Sequence, residues 1–400
     1  MFSKKVRLSA ALLLIMLVGF YGCDSPGNIN EPSGQKNIES VSQSGDPIPG
    51  QYIVVFNRQE ATTGQALSDK VNDVRNGVLE TNRIGKDAVI RAYNHAIQGF
   101  AAQLTDDQLA DLRKDPRVDY VEQDRLVILA PPPGHGPGGG GGSTAQTTPW
   151  GITRVGGATA SNGTAWIIDT GVDLNHPDLN VDANRSRTFV SKGKDSKSAD
   201  DGNGHGTHVA GTIAALDNDI DVVGVAAGAS IVAVKVLDSR GSGAYSDVIA
   251  GVDYVAANAS VGEAANMSLG GPTSQALDDA IKAAADAGVM MAVAAGNDSD
   301  DANNYSPARV EYPNVWTVSA IDSNDQFASF SNYSNPPIEF AAPGVDIHSL
   351  WKDGGMNTIS GTSMATPHVC GLLLVTGGNI NSDGTAIGDP DGNPDPIAHN

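Results

Sequence analysis

Apolar and polar positions follow three successive rhythms along the 400 residues. In the first, Lys4, Lys5 and Arg7 precede an apolar run from Leu8 to Phe20, which ends at Gly22-Cys23. A positive head and a short apolar stretch predict an export signal over 1–23, because the run is too short to cross a bilayer comfortably. Residues 24–50 are rich in Ser, Pro, Gly and Asn and predict a disordered spacer.

The second rhythm, over 51–129, is that of a small α+β unit. Gln51 to Phe56 predicts a strand, Glu60 to about Leu79 has helical spacing, and His95 to Leu104 is extended. Thr105-Asp106-Asp107-Gln108 predicts a capping box that opens a helix through Arg113, which Pro116 stops. Val118 to Leu129 predicts a further strand. The order β-α-β-β-α-β gives a ferredoxin-like sandwich. Its one histidine, His95, predicts a structural role. Pro131-Pro132-Pro133 and the glycines from Gly138 to Gly142 then fill 130–147, a flexible linker open to proteolysis.

The third rhythm runs over 148–376. Thr164 to Ile168, Ile231 to Leu237, Ala265 to Leu269 and Val289 to Ala295 are mainly apolar and predict buried strands. Ala244 to Ala257 and Gln275 to Ala287 have helical spacing between them. Buried strands alternating with helices predict an α/β domain, a parallel sheet covered by helices on both faces. In such sheets ligands bind beyond the carboxyl ends of the strands. Residues 377–400 are rich in Gly, Asp, Asn and Pro and predict an acidic, turn-rich tail.

Composition narrows the possibilities. The formal charge is −21, and from Thr148 onward 30 Asp and Glu face 11 Lys and Arg. This excess argues against nucleic acid as a partner and fits a soluble extracellular protein with cation sites. Two cysteines, Cys23 and Cys370, rule out a disulfide framework. Cys370 predicts a small buried hydrophobe.

Four motifs follow the strands of the third segment. Asp169-Thr170-Gly171 ends the first, and Asp201-Gly202-Asn203-Gly204-His205-Gly206-Thr207-His208 opens a buried helix. Ala294-Ala295-Gly296-Asn297 ends a later strand, and Ser363 opens the apolar stretch that follows Ser360-Gly361-Thr362. Pro367 is expected in the first turn of that helix, where its missing N–H has no partner to lose. Each motif alone suits a turn or a cap. In the order Asp, His, Ser, with Asn between the last two, they match one arrangement of the acyl-transfer triad. His205 would take the Ser363 proton, and Asp169 would fix the ring tautomer and stabilise the imidazolium. The Asn297 amide and the Ser363 N–H would hold the oxyanion, one such donor lowering the barrier by about 3–4 kcal/mol. The His205/His208 pair lacks the third ligand and Glu base that zinc would need. A lipase is excluded by the order of the triad and by Ala365, which breaks Gly-x-Ser-x-Gly.

On these motifs the segment from about Pro149 to Thr376 resembles the subtilisin-like serine proteases, in particular their proteinase K branch. Residues 51–129 resemble that family's inhibitory propeptide. The resemblance implies a subtilisin-like sheet and a serine endopeptidase made as a zymogen and cut in the linker, near Ala130 or near Ala145. It implies no cofactor for catalysis. Gly241-Ser242-Gly243 and Ser268-Leu269-Gly270 are similar to the two edges that pair with a substrate strand. Ala294-Ala295-Gly296 resembles a wall of the S1 pocket, and Tyr245 an aromatic bordering S4. These segments hold no acid, which favours an apolar or aromatic P1 residue. The Pro313 and Val315 carbonyls with the Glu339 carboxylate resemble a Ca2+ site, with Glu where the branch has Asp. Gly22-Cys23 resembles a bacterial lipoprotein signal, so two locations stay open: secretion, or anchoring to the cell envelope by a lipid on Cys23. The implied partners are protein or peptide substrates and the chain's own propeptide, and the chain is expected to be a monomer. Relatives usually continue for several tens of residues past the serine helix. The shorter ending here keeps a second class open, a catalytically inactive peptide-binding protein on the same fold.

Overall fold

Alternation along β1 (Pro47–Phe56) decides how the small unit is built. Val54 and Phe56 face α1 (Gly64–Thr81), packing with Val71, Val78 and Leu79, while Ile53 and Val55 turn to the core of the larger domain. The computed structural model describes residues 43–59, 64–129 and 145–400. The export signal with Cys23, most of the spacer, the expected helix start at Glu60 and the linker before Ala145 lie outside the described residues.

The unit continues with β2 (Val89–Tyr93), β3 (Gly99–Gln103), α2 (Asp106–Leu112) and β4 (Val118–Ile128). The antiparallel order β2-β3-β1-β4 is that of a ferredoxin-like sandwich. The capping box forms: Thr105 Oγ1 accepts the Gln108 N–H at 3.3 Å and Gln108 Oε1 accepts the Thr105 N–H at 3.0 Å. The spacer ends earlier than expected. Pro47 to Gly50 already belong to β1, and Gly45 and Asp46 exchange hydrogen bonds with Leu126. Polar composition misled there because pairing with β4 supplies the order that side chains do not.

The larger domain holds β5 (Thr164–Asp169), α3 (His205–Ala214), β6 (Ser230–Lys235), β7 (Ser242–Ala244), α4 (Tyr245–Asn258) and β8 (Ala264–Met267). It continues with α5 (Gln275–Asp286), β9 (Met290–Ala294), β10 (Val315–Ile321), β11 (Ile338–Pro343) and α6 (Thr362–Thr376). The strands run parallel in the order β11-β10-β9-β8-β5-β6. Along β5, Ala165 and Ile167 face α3 and α6, whereas Trp166 and Ile168 face α4 and α5. A fully buried side chain such as Ile167 contributes about 1.5–3 kcal/mol to each layer. The strand order reverses at β5, so the crevice opens beyond the ends of β5 and β8.

Residues 377–400 correct the expectation of a tail. They form β12 (Asn381–Thr385) and β13 (Pro396–His399), and β13 extends the main sheet by pairing Ile397 with Ala341. Ile397 and Ala398 are fully buried, Ile397 against Ile321 and Ala386. Two apolar residues are too few to show a period, so composition alone suggested a loop.

Candidate active site

Asp169 is the last residue of β5 and is fully buried. His205 is the first residue of α3, and its Nδ1 lies 2.8 Å from Asp169 Oδ1 and 3.0 Å from Oδ2. The turn that delivers it needs glycine. Gly204 has φ 117°, and a Cβ there would lie 2.2 Å from the Trp351 ring. Burial works to lower the imidazole pKa, but Asp169, by charge and hydrogen bond, and Asp201, by charge, outweigh it, so the His205 pKa is raised. His208 turns away: its Nε2 bonds the Ile347 carbonyl at 3.0 Å, and burial pushes its pKa down to about 3. Among the described residues no group of three or more His, Cys, Asp or Glu is arranged to hold a metal.

Ser363 is the second residue of α6 and lines the same cavity as His205, about 350 Å³ in volume. In this structure its hydroxyl donates to the Ser268 carbonyl at 3.1 Å and not to His205. Ser268 Oγ donates back to the Ser363 carbonyl at 2.8 Å. That carbonyl is free because Pro367, four residues on, has no N–H to give it. Pro367 therefore sits one turn deeper than expected, where its missing donor opens the acceptor that Ser268 uses.

Asn297 follows β9 and points one way for a reason. Its Oδ1 accepts both the Thr362 N–H at 2.8 Å and the Thr362 hydroxyl at 3.0 Å. The Nδ2 is left without an intramolecular partner among the described residues, on a side chain that lines the cavity. Ala294, Ala295 and Gly296 form the adjoining wall, with Ser268, Leu269 and Gly270 opposite.

Three residues of the site escaped sequence reading. Thr362 orients Asn297. Asn332, fully buried, holds the wall by donating to the Ala295 carbonyl at 2.9 Å and accepting the Asp298 N–H at 2.9 Å. A Cβ on Gly296 would lie 2.3 Å from its Nδ2. Asp298 lines the cavity, its pKa raised by burial and by Asp300, so the pocket is not free of acid. Asp298 directly follows Asn297, and that adjacency was the signal available; Asn332 offered none.

The propeptide-like unit lies in the cleft. The end of β4 pairs antiparallel with β7, setting Val127 opposite Gly243 and Ile128 opposite Ser242, and the Leu129 N–H donates to the Gly241 carbonyl at 2.9 Å. Its carboxylates cap two helices: Asp124 accepts the Ser246 N–H at 3.1 Å and Glu122 the Ala276 N–H at 3.0 Å. Asp253 of α4 replies by accepting the N–H groups of His95 and Ala96, both at 2.7 Å. Tyr245 is buried beside this strand, its hydroxyl donating to the Pro272 carbonyl at 2.6 Å.

Glu339, on β11, accepts the Thr317 N–H at 2.6 Å, two residues along β10 from Val315. Burial pushes its pKa up to about 8, with Glu311 and Asp395 adding to the shift, and no cation pairs with it among the described residues.

Residues 165–382 match the model of the subtilase family, and residues 51–130 that of peptidase inhibitor I9. Alkaline serine exoprotease A of Vibrio alginolyticus is 41% identical over 340 residues, 82% of this chain and 60% of that protein. Alkaline serine protease ver112 of Corniculantispora psalliotae is 38% identical over 362 residues, 86% and 84% of the two chains. The extracellular serine proteinase of a Thermus species is 40% identical over 387 residues, 91% and 88%. A solved cold adapted subtilisin-like serine proteinase shares 41% identity with a TM-score of 0.54, covering 62% of this chain and 97% of that one.

Proposed function

From the premise that the chain belongs to the subtilase family of serine endopeptidases, we propose that it hydrolyses peptide bonds through Asp169, His205 and Ser363 by way of an acyl-enzyme. The observation that carries this reading is the 2.8 Å contact of His205 with buried Asp169, beside a cavity that Ser363 and Asn297 share. A substrate strand lies between Gly241–Gly243 and Ser268–Gly270, as the end of β4 lies along the first of these edges. Its scissile carbonyl meets Ser363 Oγ, which turns from the Ser268 carbonyl to the free Nε2 of His205. The ring takes the proton, Asp169 stabilises the imidazolium, and the Asn297 Nδ2 and Ser363 N–H hold the oxyanion. His205 then protonates the leaving amine, and water resolves the ester by the same route in reverse. The test is a fluorophosphonate probe on the wild-type chain, read by peptide mass. One label on Ser363 is expected, and labelling elsewhere or none would sink the assignment.

The base must be neutral to accept a proton, so a raised His205 pKa moves the acidic limb of activity upward. The midpoint of kcat/KM against pH is expected above the ordinary histidine value of about 6.5. A midpoint below it would contradict the Asp169 contact.

The apolar wall of Ala294, Ala295 and Leu269 favours apolar or aromatic P1 residues, with Asp298 at the same cavity admitting some basic ones. The I9-like unit serves as intramolecular inhibitor until the linker is cut. Export follows from the signal over 1–23, and no helix among the described residues is long and apolar enough to cross a membrane.

Calcium suits Glu339 on its chemistry: its largely buried carboxylate accepts the Thr317 N–H, has no cation partner among the described residues and offers oxygen ligands only. The ion would neutralise Glu339 and contribute stability. Without it, an acid whose folded pKa is raised has its full stability below the unfolded value of about 4.5 and loses it as pH rises toward about 8. Chelation is therefore expected to lower Tm more at pH 8–9 than at pH 5, and Glu339→Gln to remove the difference. An equal Tm with and without chelator at alkaline pH would reject the site.

A further inference from the structure

One buried residue ties the acid and the base to the rest of the domain. Thr170 follows Asp169 and uses every polar group it has. Its N–H donates to Asp169 Oδ1 at 2.7 Å. Its hydroxyl accepts the Gly206 N–H at 3.0 Å and donates to Asp201 Oδ1 at 3.0 Å. Its carbonyl accepts from Lys235 Nζ, a fully buried ammonium that also lies 3.3 Å from Asp195.

Asp201 is equally saturated. Its Oδ1 accepts the N–H groups of Asn203 and Gly204, each at 2.9 Å. Its Oδ2 accepts the Thr207 N–H at 3.0 Å and the Thr207 hydroxyl at 2.7 Å. One carboxylate thus closes the turn that delivers His205 and, through the Thr170 hydroxyl, holds the strand end that delivers Asp169. Nothing in the proposed mechanism uses it.

We propose that Asp201 is a positioning residue for peptide hydrolysis, acting through Thr170 to fix the approach of Asp169 to the His205 ring and placing a second negative charge beside that ring. This rests on the protease reading above. The geometry gives the reason for a charge at this place. Five neutral donors converge on Asp201, which suits an anion better than an amide, whose NH2 would meet the Thr207 N–H. Asp169 from β5, Asp201 from the turn and His208 on its own helix act on the ring, while Lys235 at the end of β6 sits on the Thr170 carbonyl and Lys352 faces Asp201. Lys235 is paired with Asp195 and Lys352 with Asp353, while His208 is held neutral by burial. Among the described residues Asp201 is therefore the carboxylate besides Asp169 whose charge acts on His205, and its effect is to raise the ring's pKa.

The test separates positioning from mere capping by reading the ring itself. In the full-length Ser363→Ala chain, which needs no self-processing, the His205 Nδ1 proton bonded to Asp169 is followed by proton NMR against pH. Asp201→Asn is expected to lower the titration midpoint by about half a pH unit or more, and Asp201→Glu, which keeps the charge, to restore most of it. In the active chain Asp201→Asn is expected to reduce kcat about tenfold or more with KM within about twofold. Thr170→Ser keeps both hydroxyl bonds and should stay near wild type, whereas Thr170→Val should lose as much as Asp201→Asn. An unmoved midpoint in folded Asp201→Asn overturns the proposal. Should that variant not fold, the Thr170 pair decides: Thr170→Val with wild-type kcat overturns it. Absent hydrolysis by the wild type would instead sink the protease reading, while the NMR titration would still decide on Asp201.

Discussion

Replacing His205 with alanine is expected to lower kcat/KM for a peptide amide by about a million-fold, with the folded state intact. The size follows from what the ring does twice. Ser363 Oγ is a weak nucleophile until a base removes its proton, and the amine is a poor leaving group until an acid supplies one. Among the described residues His205 is the one titratable side chain bonded to Asp169, so no other base stands ready in its place. The loss should fall on kcat, since the ring takes no part in the main-chain pairing that binds the substrate. Thermal melting and the gel mobility of the full chain, measured with the kinetics, check the assignment: a variant with intact Tm and more than about one-hundredth of wild-type activity would remove His205 from the reaction.

The second large effect is expected at Asn297. Asn297→Asp keeps the Oδ1 that accepts from Thr362 and replaces the free amide by an oxygen. A donor aimed at the oxyanion becomes an acceptor, so kcat should fall about 100- to 1,000-fold, roughly 2.7–4 kcal/mol of barrier. KM should change little, because the ground-state carbonyl needs that donor less than the oxyanion does. A KM effect as large as the kcat effect would mean that Asn297 shapes the pocket and does not face the reacting oxygen.

Much of this was legible in the chain because the elements obey single rhythms. β5, β6, β8 and β9 are short, mainly apolar runs, and the helices between them show clean helical spacing, so a parallel sheet with a crevice at its carboxyl ends followed directly. Asp169, His205, Asn297 and Ser363 stood out because each directly follows a strand or opens a helix. What escaped was whatever depends on partners distant in sequence. Asn332 braces the Gly296 wall from far along the chain, and no local pattern marks it. β13 joins the sheet on two buried residues inside a segment whose composition suggests a loop. Pro367 is expected in the first turn on its missing N–H alone, but the helix begins at Thr362 and leaves Pro367 in the second turn. Its deeper position makes sense only once Ser268 is seen to use the carbonyl it frees.

Ser363 carries the central claim, and the most direct measurement compares the wild-type chain with Ser363→Ala. Both are expressed at full length, followed by gel, and assayed for hydrolysis of a peptide amide with an aromatic P1 residue. The wild type is expected to shorten by cutting itself between the small unit and the sheet domain and then to hydrolyse the amide. Ser363→Ala should remain at full length and inert. If the wild type also stays at full length without hydrolysis, or if the variant matures and cleaves as the wild type does, the account is wrong.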